Sequence, residues 1–422
     1  MSNINPDPFT TRPEIEGTFG VVATTHWIAT AVGMAMLEKG GNAFDAGVAT
    51  AFTLQVVEPH LNGPGGDVPV IVHDVKRGRT EVICGQGPAP ARATIAHYKS
   101  EGLDMVPGTG LLAACVPGTF ESWMMLLRDY GTMRVRDVLQ PAISYARDGY
   151  PLVERACATI QTVEQLFRKH WPTSAAVYLP NGEVPTPGTL FTNKTLAATY
   201  ARILSEAESG GGGRDAEIER ARKAWSQGFV AEAIDKFCRT QEVMDVSGSP
   251  HRGVLSADDM ARWQPTVEAP LTYDYGRYTV CKAGVWSQGP VTLQQLALLK
   301  GFALDGLDPT GPEFIHLQIE CASSPSPTAR NSMAIPSSPK SRSRRCCRMP
   351  TMTSAASSSP IAPRSTSFPA RSKALAAKSG CAAPRASARL SARSVPANRR
   401  WGASARCAAT PCISTSSTAT AT

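Results

Sequence analysis

Two acidic residues and two histidines near the start of the chain are of types that can catalyse proton transfer. Glu58 and Asp67 are nine positions apart, and paired carboxylates can act as general acid and general base. His26 and His60 are residues of the type that titrates near neutral pH. However, Glu58 is at the predicted end of a helix, directly before Pro59, and both histidines lie beside predicted buried helices. We interpret both histidines as hydrogen-bonded structural residues and do not assign the two acids as a catalytic pair.

Two glycine-rich segments are candidates for binding loops. Residues 62–67, "NGPGGD", are typical of a tight turn and on their own do not indicate a site. Residues 209–213, "SGGGG", lack the Lys-Ser/Thr partner that a phosphate-binding loop needs. We therefore predict a turn for the first segment and a flexible loop for the second.

The cysteines are scattered singly through the first 321 residues, with no CxxC spacing. Cys346 and Cys347 are adjacent and match no spacing of metal ligands. This pattern is typical of reduced thiols in a cytoplasmic protein, and it predicts neither a disulfide framework nor a metal site.

The net charge of +8 comes from one end of the chain. Residues 321–422 contain 16 Lys and Arg and no Asp or Glu, so the first 320 residues contain 27 basic and all 35 acidic residues. This mildly acidic balance is common among soluble enzymes and indicates no nucleic-acid partner. The basic tail has only Phe368 and Trp401 as aromatic residues, so it offers no platform on which bases would stack.

The first residues, "MSNINPDPFTTRPEIEG", contain no apolar segment of the kind found in signal peptides. Nowhere does an apolar run approach the ~18 residues of a membrane helix. We expect a cytoplasmic protein that does not interact with membranes.

Hydrophobic spacing predicts the elements that would position these residues. Residues 20–60 predict a short strand and two helices, the first ending at Gly40 and the second, at about 44–57, buried on nearly every face. "VPVIVHD" and "TEVICGQ" predict two strands joined by a turn at Gly78. From about residue 109 to 304 the pattern is mostly helical, with one helix beginning near Pro141.

Three segments together resemble the γ-glutamyltransferase family. They are "GGNAFDAGVATAFTLQVVEPHLNGPGGD" (40–67), "VPGTFESW" followed by "LQPAISYARDGYPL" (within 116–152), and "SADDMARWQPTVEAPLTYDYGRYTV" (256–280). Their order and spacing are similar to those of the family over residues 20–320, about three quarters of the chain. The resemblance implies an α/β fold, the αββα four-layer sandwich of the N-terminal-nucleophile (Ntn) hydrolases. This chain would contain its large-subunit portion, followed by a disordered tail.

The resemblance also implies chemistry centred on a threonine. Precursors of this class cut themselves and expose a Thr at the start of the small subunit. The free α-amino group of that Thr, with a reference pKa of about 7.7–8.0, accepts the hydroxyl proton, and backbone amides stabilise the oxyanion. The acyl group of a small amide or γ-glutamyl substrate then passes to water or to an amine, without metal or organic cofactor. No acid–base pair such as Glu58 with Asp67 is needed.

The family's threonine motif resembles Gly-Asp-Thr-x-His and is missing from the tail. A shift of reading frame restores it: permitted codons for residues 408–421 regroup to spell Gly-Asp-Thr-Val-His-Phe-Asp-Ile-Ile-Asp-Arg-Asp-Gly. In the same frame, residues 323–336 spell Val-Ala-Phe-Ala-Asp-Arg-Glu-Lys-Phe-Tyr-Gly-Asp-Pro, which also resembles the family. We therefore predict that the chain from about Ala322 onward is a frameshifted translation. The nucleophile codon would straddle Thr410 and Pro411, so the chain has no catalytic residue of its own.

Gln86 is the candidate substrate-binding residue. Aligned on Ala89 and Pro90, "CGQGPAP" puts Gln86 where typical family members have an Arg that clamps the α-carboxylate of the γ-glutamyl group. A charged hydrogen bond contributes ~1.5–3 kcal/mol and a neutral one ~1 kcal/mol. The motif resembles the amidohydrolase branch, including oxamate amidohydrolase and cephalosporin-acylase-like members. The alternative is a strand-end residue with a satisfied amide; Arg92 is interpreted as a surface residue.

The predicted organisation has three parts: an N-terminal arm at 1–19, a family region at 20–321 with a helical portion at about 109–304, and a basic Ser/Ala/Pro/Arg-rich tail at 322–422. The predicted function is that of an amide hydrolase or acyltransferase which is inactive in this form. Its main partner would be the missing small subunit. The alternative is a non-catalytic pseudoenzyme, or a protein whose basic tail binds nucleic acid or another partner.

Overall fold

A computed structural model describes residues 16–323, which all belong to one compact unit. In that range the helices are α1 (Trp27–Glu38), α2 (Ala43–Val57), α3 (Ile95–Ser100), α4 (Thr119–Tyr130), α5 (Val135–Asp148), α6 (Glu154–His170), α7 (Pro172–Tyr178), α8 (Lys194–Glu208), α9 (Gly213–Ser226), α10 (Phe229–Thr240), α11 (Ala257–Arg262), α12 (Gly289–Leu299) and α13 (Pro312–Ser323). The strands are β1 (Val68–Asp74), β2 (Arg79–Gly85), β3 (Tyr150–Pro151), β4 (Leu190–Phe191), β5 (Val243–Met244), β6 (Pro250–His251), β7 (Thr266–Glu268), β8 (Leu271–Tyr275) and β9 (Tyr278–Lys282).

Five helices form a closed ring around the main core. α2 packs against α5, α5 against α8, α8 against α9, α9 against α4, and α4 against α2. Inside the ring, the Phe52 ring lies 5.5 Å from that of Phe120 and 5.8 Å from that of Tyr200. Trp225 stacks on Phe120 at 4.8 Å. Each aromatic pair of this kind adds about 0.5–1.5 kcal/mol to the contribution of burial, so this cluster links four helices of the ring.

A buried carboxylate fixes the start of α2. Asn42 and Asp45 form a capping box, in which Asp45 Oδ2 accepts from Asn42 N at 2.9 Å. Asp45 Oδ1 also accepts from the backbone N–H groups of Thr132 (2.8 Å) and Met133 (3.0 Å) in the α4–α5 connection. A fully buried charge is stable only with such a complete set of donors, and Asp45 therefore ties α2 to the loop that closes the ring.

The largest sheet has three antiparallel strands in the order β1–β2–β7. Its ladder pairs Val68 with Gly85 and Val82 with Glu268. One face packs on the helical core, as the complete burial of Ile83 shows. The β8–β9 hairpin packs against α12. No helix among residues 16–323 has both the length and the apolar character needed to cross a bilayer.

The predicted β1, β2, α1 and α2 are confirmed, with Gly78 (φ 61°) in the turn between the two strands and Gly40 (φ 88°) just after α1. The strand expected near residue 20 is not formed. The start of the helix expected near Pro141 is wrong, because α5 begins at Val135 and contains Pro141. Its missing N–H costs a helical hydrogen bond, but Val135, Val138 and Leu139 are completely buried and offset that loss.

Arg220 holds the glycine-rich segment at 209–213, in contrast to the flexible loop predicted there. Its Nε donates to Ala207 O (2.7 Å), Nη2 to Gly210 O (2.7 Å) and Nη1 to Gly211 O (2.8 Å). These carbonyls lie at the end of α8 and beyond it, where helix carbonyls lack partners within the helix. One guanidinium group on α9 therefore caps the C-terminal end of α8.

We expect Arg220→Met to lower the free energy of unfolding by about 1–2 kcal/mol, because three carbonyls lose a charged donor. The measurement is urea denaturation. Arg239→Met is the matched control, since Arg239 makes one exposed pair with Asp235 at 2.8 Å, and it should cost no more than about 0.5 kcal/mol. Equal costs for the two variants would contradict the capping role of Arg220.

Candidate functional site

Gln86 directly follows β2, at the end remote from the hairpin turn. Strand alternation puts Ile83 and Gly85 on the face that packs on the helices: Ile83 is in the core, and a Cβ on Gly85 would come within 3.0 Å of Ser122 Oγ on α4. Cys84 and Gln86 therefore lie on the opposite face. The Gln86 side chain is exposed and makes no hydrogen bond to any described residue. Its amide is free to bind a ligand.

Residues 62–67, which we call the glycine loop, end beside Gln86. The last pair of the β1–β2 ladder is Val68 with Gly85, so Asp67 and Gln86 lie opposite each other just beyond it. The Asp67 carboxylate is exposed and makes no hydrogen bond or ion pair within residues 16–323. A carboxylate and an amide, on the residues directly beyond the last pair of the ladder, thus lie at the same end of the sheet.

The N-terminus of α4 holds the glycine loop in place. The backbone N–H groups of Gly118 (3.0 Å) and Thr119 (3.2 Å) donate to Gly66 O. Thr119 Oγ1 donates to Pro64 O at 2.8 Å. These bonds use the N–H group of the N-cap residue and that of the first residue of α4.

Cys84, on the same face as Gln86, is the nearest potential nucleophile. Burial raises the pKa of its thiol, and the carboxylates of Glu268 and Asp67 raise it further, against an opposing hydrogen bond from the Gln86 backbone. Glu268 is held by Trp286 Nε1, which donates to Oε2 at 2.8 Å. The thiol is therefore protonated at neutral pH and is a poor nucleophile.

Glu58 and His26 have structural partners. Glu58 is buried at the C-terminal end of α2 and accepts a hydrogen bond from Thr25 Oγ1. His26 caps α1, with Nδ1 accepting from Ile28 N at 3.2 Å. This confirms the structural interpretation of His26. The hydrogen bond expected at His60 is missing, because its buried Nδ1 has no partner within the described range.

Acid should weaken the α1 cap. Burial lowers the pKa of His26 from 6.5, with Glu58 opposing the shift and His60 adding to it. The unfolded chain therefore binds a proton at His26 before the folded chain does. The stability contributed by neutral His26 is complete above a pH of about 6.5 and is lost as the pH falls from there towards the lowered folded-state pKa.

We expect the free energy of unfolding, measured by urea denaturation, to fall between about pH 7 and pH 5. His26→Asn keeps an N-cap acceptor that does not titrate in this range, so its profile should be flatter. Parallel profiles for the parent and the variant would show that His26 does not carry this pH dependence.

Comparison with known families shows to which family the chain belongs. Residues 29–356 match the family described as Gamma-glutamyltranspeptidase, which is more than half of the chain. The chain belongs to the γ-glutamyltranspeptidase family. The match includes residues 322–356, so it does not by itself separate the tail from the body.

Individual relatives and solved structures show how far the similarity extends. It is 31% identical over 307 residues to the glutathione hydrolase-like YwrD proenzyme of Bacillus subtilis, covering 72% of this chain and 53% of that protein. The solved structure of LmbA2991HD shares 54% identity and a TM-score of 0.70, over 74% of this chain and 53% of that one. For Helicobacter pylori gamma-glutamyltranspeptidase the values are 25% and 0.64, over 76% and 90%.

The match to the solved γ-glutamyltranspeptidase of Helicobacter pylori confirms the predicted α/β Ntn-hydrolase fold class. The chain spans about half the length of the curated relatives it matches, which is consistent with a large-subunit portion. The described residues supply a helical layer and part of one sheet.

Gln86 is the one predicted site residue within the described range, and it lies at the same end of the β1–β2 ladder as Asp67. Glu58, which we do not assign to a catalytic pair, accepts a hydrogen bond from Thr25. Arg92 is exposed and forms no ion pair within residues 16–323. Thr410 and Pro411, where the nucleophile codon is predicted, lie outside the described residues. Between residues 16 and 323 no group of three or more His, Cys, Asp or Glu is arranged to hold a metal ion.

Sequence reasoning missed the residues that hold the glycine loop. Thr119 is the first residue of α4, and its hydroxyl and its backbone N–H both donate to the loop. The available signal was the pair Gly118-Thr119 directly before an apolar helix, together with a glycine run that needs an external partner to be fixed. The contact spans more than fifty residues, and local patterns do not report contacts of that range.

Proposed function

We propose that residues 20–321 are the large-subunit portion of an amide hydrolase or acyltransferase acting on a small amide or γ-glutamyl donor. The amide of Gln86, exposed just beyond the end of β2 and without a hydrogen-bond partner among residues 16–323, is the observation that carries this proposal. It stands where the family resemblance puts an Arg, and it is a neutral group suited to an amide or carbonyl oxygen. The unpaired cysteines of the described residues fit a reducing compartment such as the cytoplasm.

The nucleophile of the proposed reaction comes from the second half of the protein. An N-terminal Thr supplies both the hydroxyl and, through its α-amino group, the base. Cys84, two positions before Gln86, offers no substitute, because burial and neighbouring carboxylates keep its thiol protonated. The small subunit is therefore the main partner of this chain, and the proposed reaction requires neither metal nor organic cofactor.

The proposed reason for the missing half is a change of reading frame near Ala322. From Cys321 onward the chain has no Asp or Glu, an abnormal composition for a globular domain. Two family motifs reappear, in the right order, in one alternative frame. The second contains the Thr whose codon would straddle Thr410 and Pro411. On this account the 422-residue chain has no nucleophile and no turnover.

Restoring the frame by a one-base change near the codon for Ala322 tests the proposal. The restored protein should split into two fragments on a denaturing gel and hydrolyse an amide. A panel of a γ-glutamyl anilide, oxamate and a β-lactam side-chain amide identifies the donor class. The 422-residue chain is the control and should give a single band without turnover. Self-cleavage of that chain, or an uninterrupted reading frame in the resequenced gene, would refute the proposal.

A second candidate is a binding protein that uses its basic tail. It is favoured by one observation, the 16 basic and no acidic residues after position 320. Binding of this kind falls steeply with salt concentration. Salt-dependent DNA binding that is lost when residues 322–422 are deleted, combined with a restored frame that yields no amidase, would favour this function over the enzyme.

A further inference from the structure

Gly65 is a glycine that the described fold does not require. Its φ is not positive, and no atom lies within 4 Å of the position a Cβ would occupy. The same holds for Gly63. By contrast, a Cβ on Gly66 would lie 3.3 Å from Gly63 O. Glycine costs chain entropy on folding, and its main other use is to let a partner approach the backbone closely.

The hydrogen bonds to α4 fix the direction of two backbone N–H groups. All peptide bonds between residues 16 and 323 are trans, so the C=O and N–H of one peptide unit point in opposite directions. The Pro64 carbonyl points to Thr119 on α4, and the N–H of Gly65 therefore points away from that helix. The Gly66 carbonyl also accepts from α4, so the N–H of Asp67 points away as well.

Neither of these N–H groups has an acceptor in the described chain. They are two residues apart on an exposed loop, and Gly65 itself has no side chain. The Asp67 carboxylate and the Gln86 amide, both free of partners in the same range, stand at the end of the loop. The set thus contains two backbone donors, a carboxylate acceptor and an amide that can donate or accept.

We propose that the glycine loop and Gln86 form a subsite for an uncharged carboxamide head group. The carboxamide oxygen accepts from the N–H groups of Gly65 and Asp67, and the carboxamide N–H donates to the Asp67 carboxylate, with the Gln86 amide beside it. The subsite has one negative charge and no cation of its own, so it favours a neutral head over a carboxylate. This inference deepens the proposed function by naming the part of the donor that these residues hold.

The test uses the 422-residue chain labelled with ¹⁵N-glycine and the neutral probe N-acetylglycinamide, with acetate as the anionic comparison. We expect the Gly65 amide resonance to shift saturably with N-acetylglycinamide and not with acetate. Gly65→Val adds a branched side chain beside the Gly65 donor, and binding, followed at Gly63 and Gly66, should weaken by about tenfold, as for the loss of a good hydrogen bond. Thr119 and Gly118 are unchanged, so the loop keeps its anchor.

Gly108→Val is the matched control, because Gly108 is exposed, has no positive φ and has no atom within 4 Å of a Cβ. It should bind the probe as the parent does, and both variants should keep the parent's circular dichroism spectrum. No saturable shift at Gly65, equal affinity in Gly65→Val, or tighter binding of acetate would overturn the subsite. Since binding here needs no turnover, its failure is distinct from the failure of the frame-restored enzyme to hydrolyse amides.

Discussion

Gly118→Ala is expected to lower the free energy of unfolding by more than about 3 kcal/mol, the upper range for overpacking a tight interior. An added Cβ would come within 3.0 Å of Gly85 O and lie 3.0 Å from Trp263 Cη2. The first of these atoms belongs to the backbone of the central strand and cannot rotate away. Relief requires that α4 move from β2, which also breaks the bonds from α4 to Gly66 O.

The matched control for Gly118→Ala is Gly63→Ala. Gly63 has open space around the Cβ position and no positive φ, so alanine should be neutral or stabilising by about 0.4–1 kcal/mol. Urea denaturation of both variants gives the comparison. Similar stabilities for the two would mean that the contact between α4 and the end of β2 is looser than the structure indicates.

Gln86→Arg, in the frame-restored protein, is expected to raise kcat/KM for a γ-glutamyl anilide about tenfold relative to a neutral amide. A guanidinium can form a bidentate charged pair with the α-carboxylate of the donor, and the gain over a neutral amide is ~1–2 kcal/mol. Gln86→Lys is the control, because it supplies the charge without the bidentate geometry and should gain less. Steady-state kinetics on both substrates provide the ratio.

The carboxylate opposite Gln86 should limit that gain. Asp67 lies across the end of the ladder and is free of other partners in the described chain, so the guanidinium introduced by Gln86→Arg can pair with it instead of with the donor. The double variant with Asp67→Asn is therefore expected to gain more than Gln86→Arg alone. An unchanged substrate ratio in both variants would show that Gln86 does not face the acyl donor.

The sequence predicts the elements whose signals are local. Alternation and Gly78 define the β1–β2 hairpin, and the glycine after Lys39 marks the end of α1. The start of α5 is missed because burial of one helical face outweighs the lost hydrogen bond of Pro141. Arg220 contacts the end of α8, and Thr119 contacts the glycine loop. Each contact joins positions too far apart in the sequence for helix or strand periodicity to indicate it.

The same distinction between local signals and long-range contacts applies to the candidate site. Gln86 is predicted from a motif, and its exposure follows from its place at a strand end. The direction of the Gly65 and Asp67 N–H groups, by contrast, depends on which loop carbonyls accept hydrogen bonds from α4. That information exists only in three dimensions. The proposed nucleophile lies outside the described residues and stays a prediction.

The ring of five helices has a consequence for synthesis on the ribosome. Its first member, α2, must wait for α9, which ends at Ser226, before the circle can close. Domains emerging from the exit tunnel fold as units, so the early helices stay exposed to chaperones while more than 150 further residues are translated. Closure can nevertheless be complete well before codon 322, so the proposed change of frame there would leave the nascent ring unaffected.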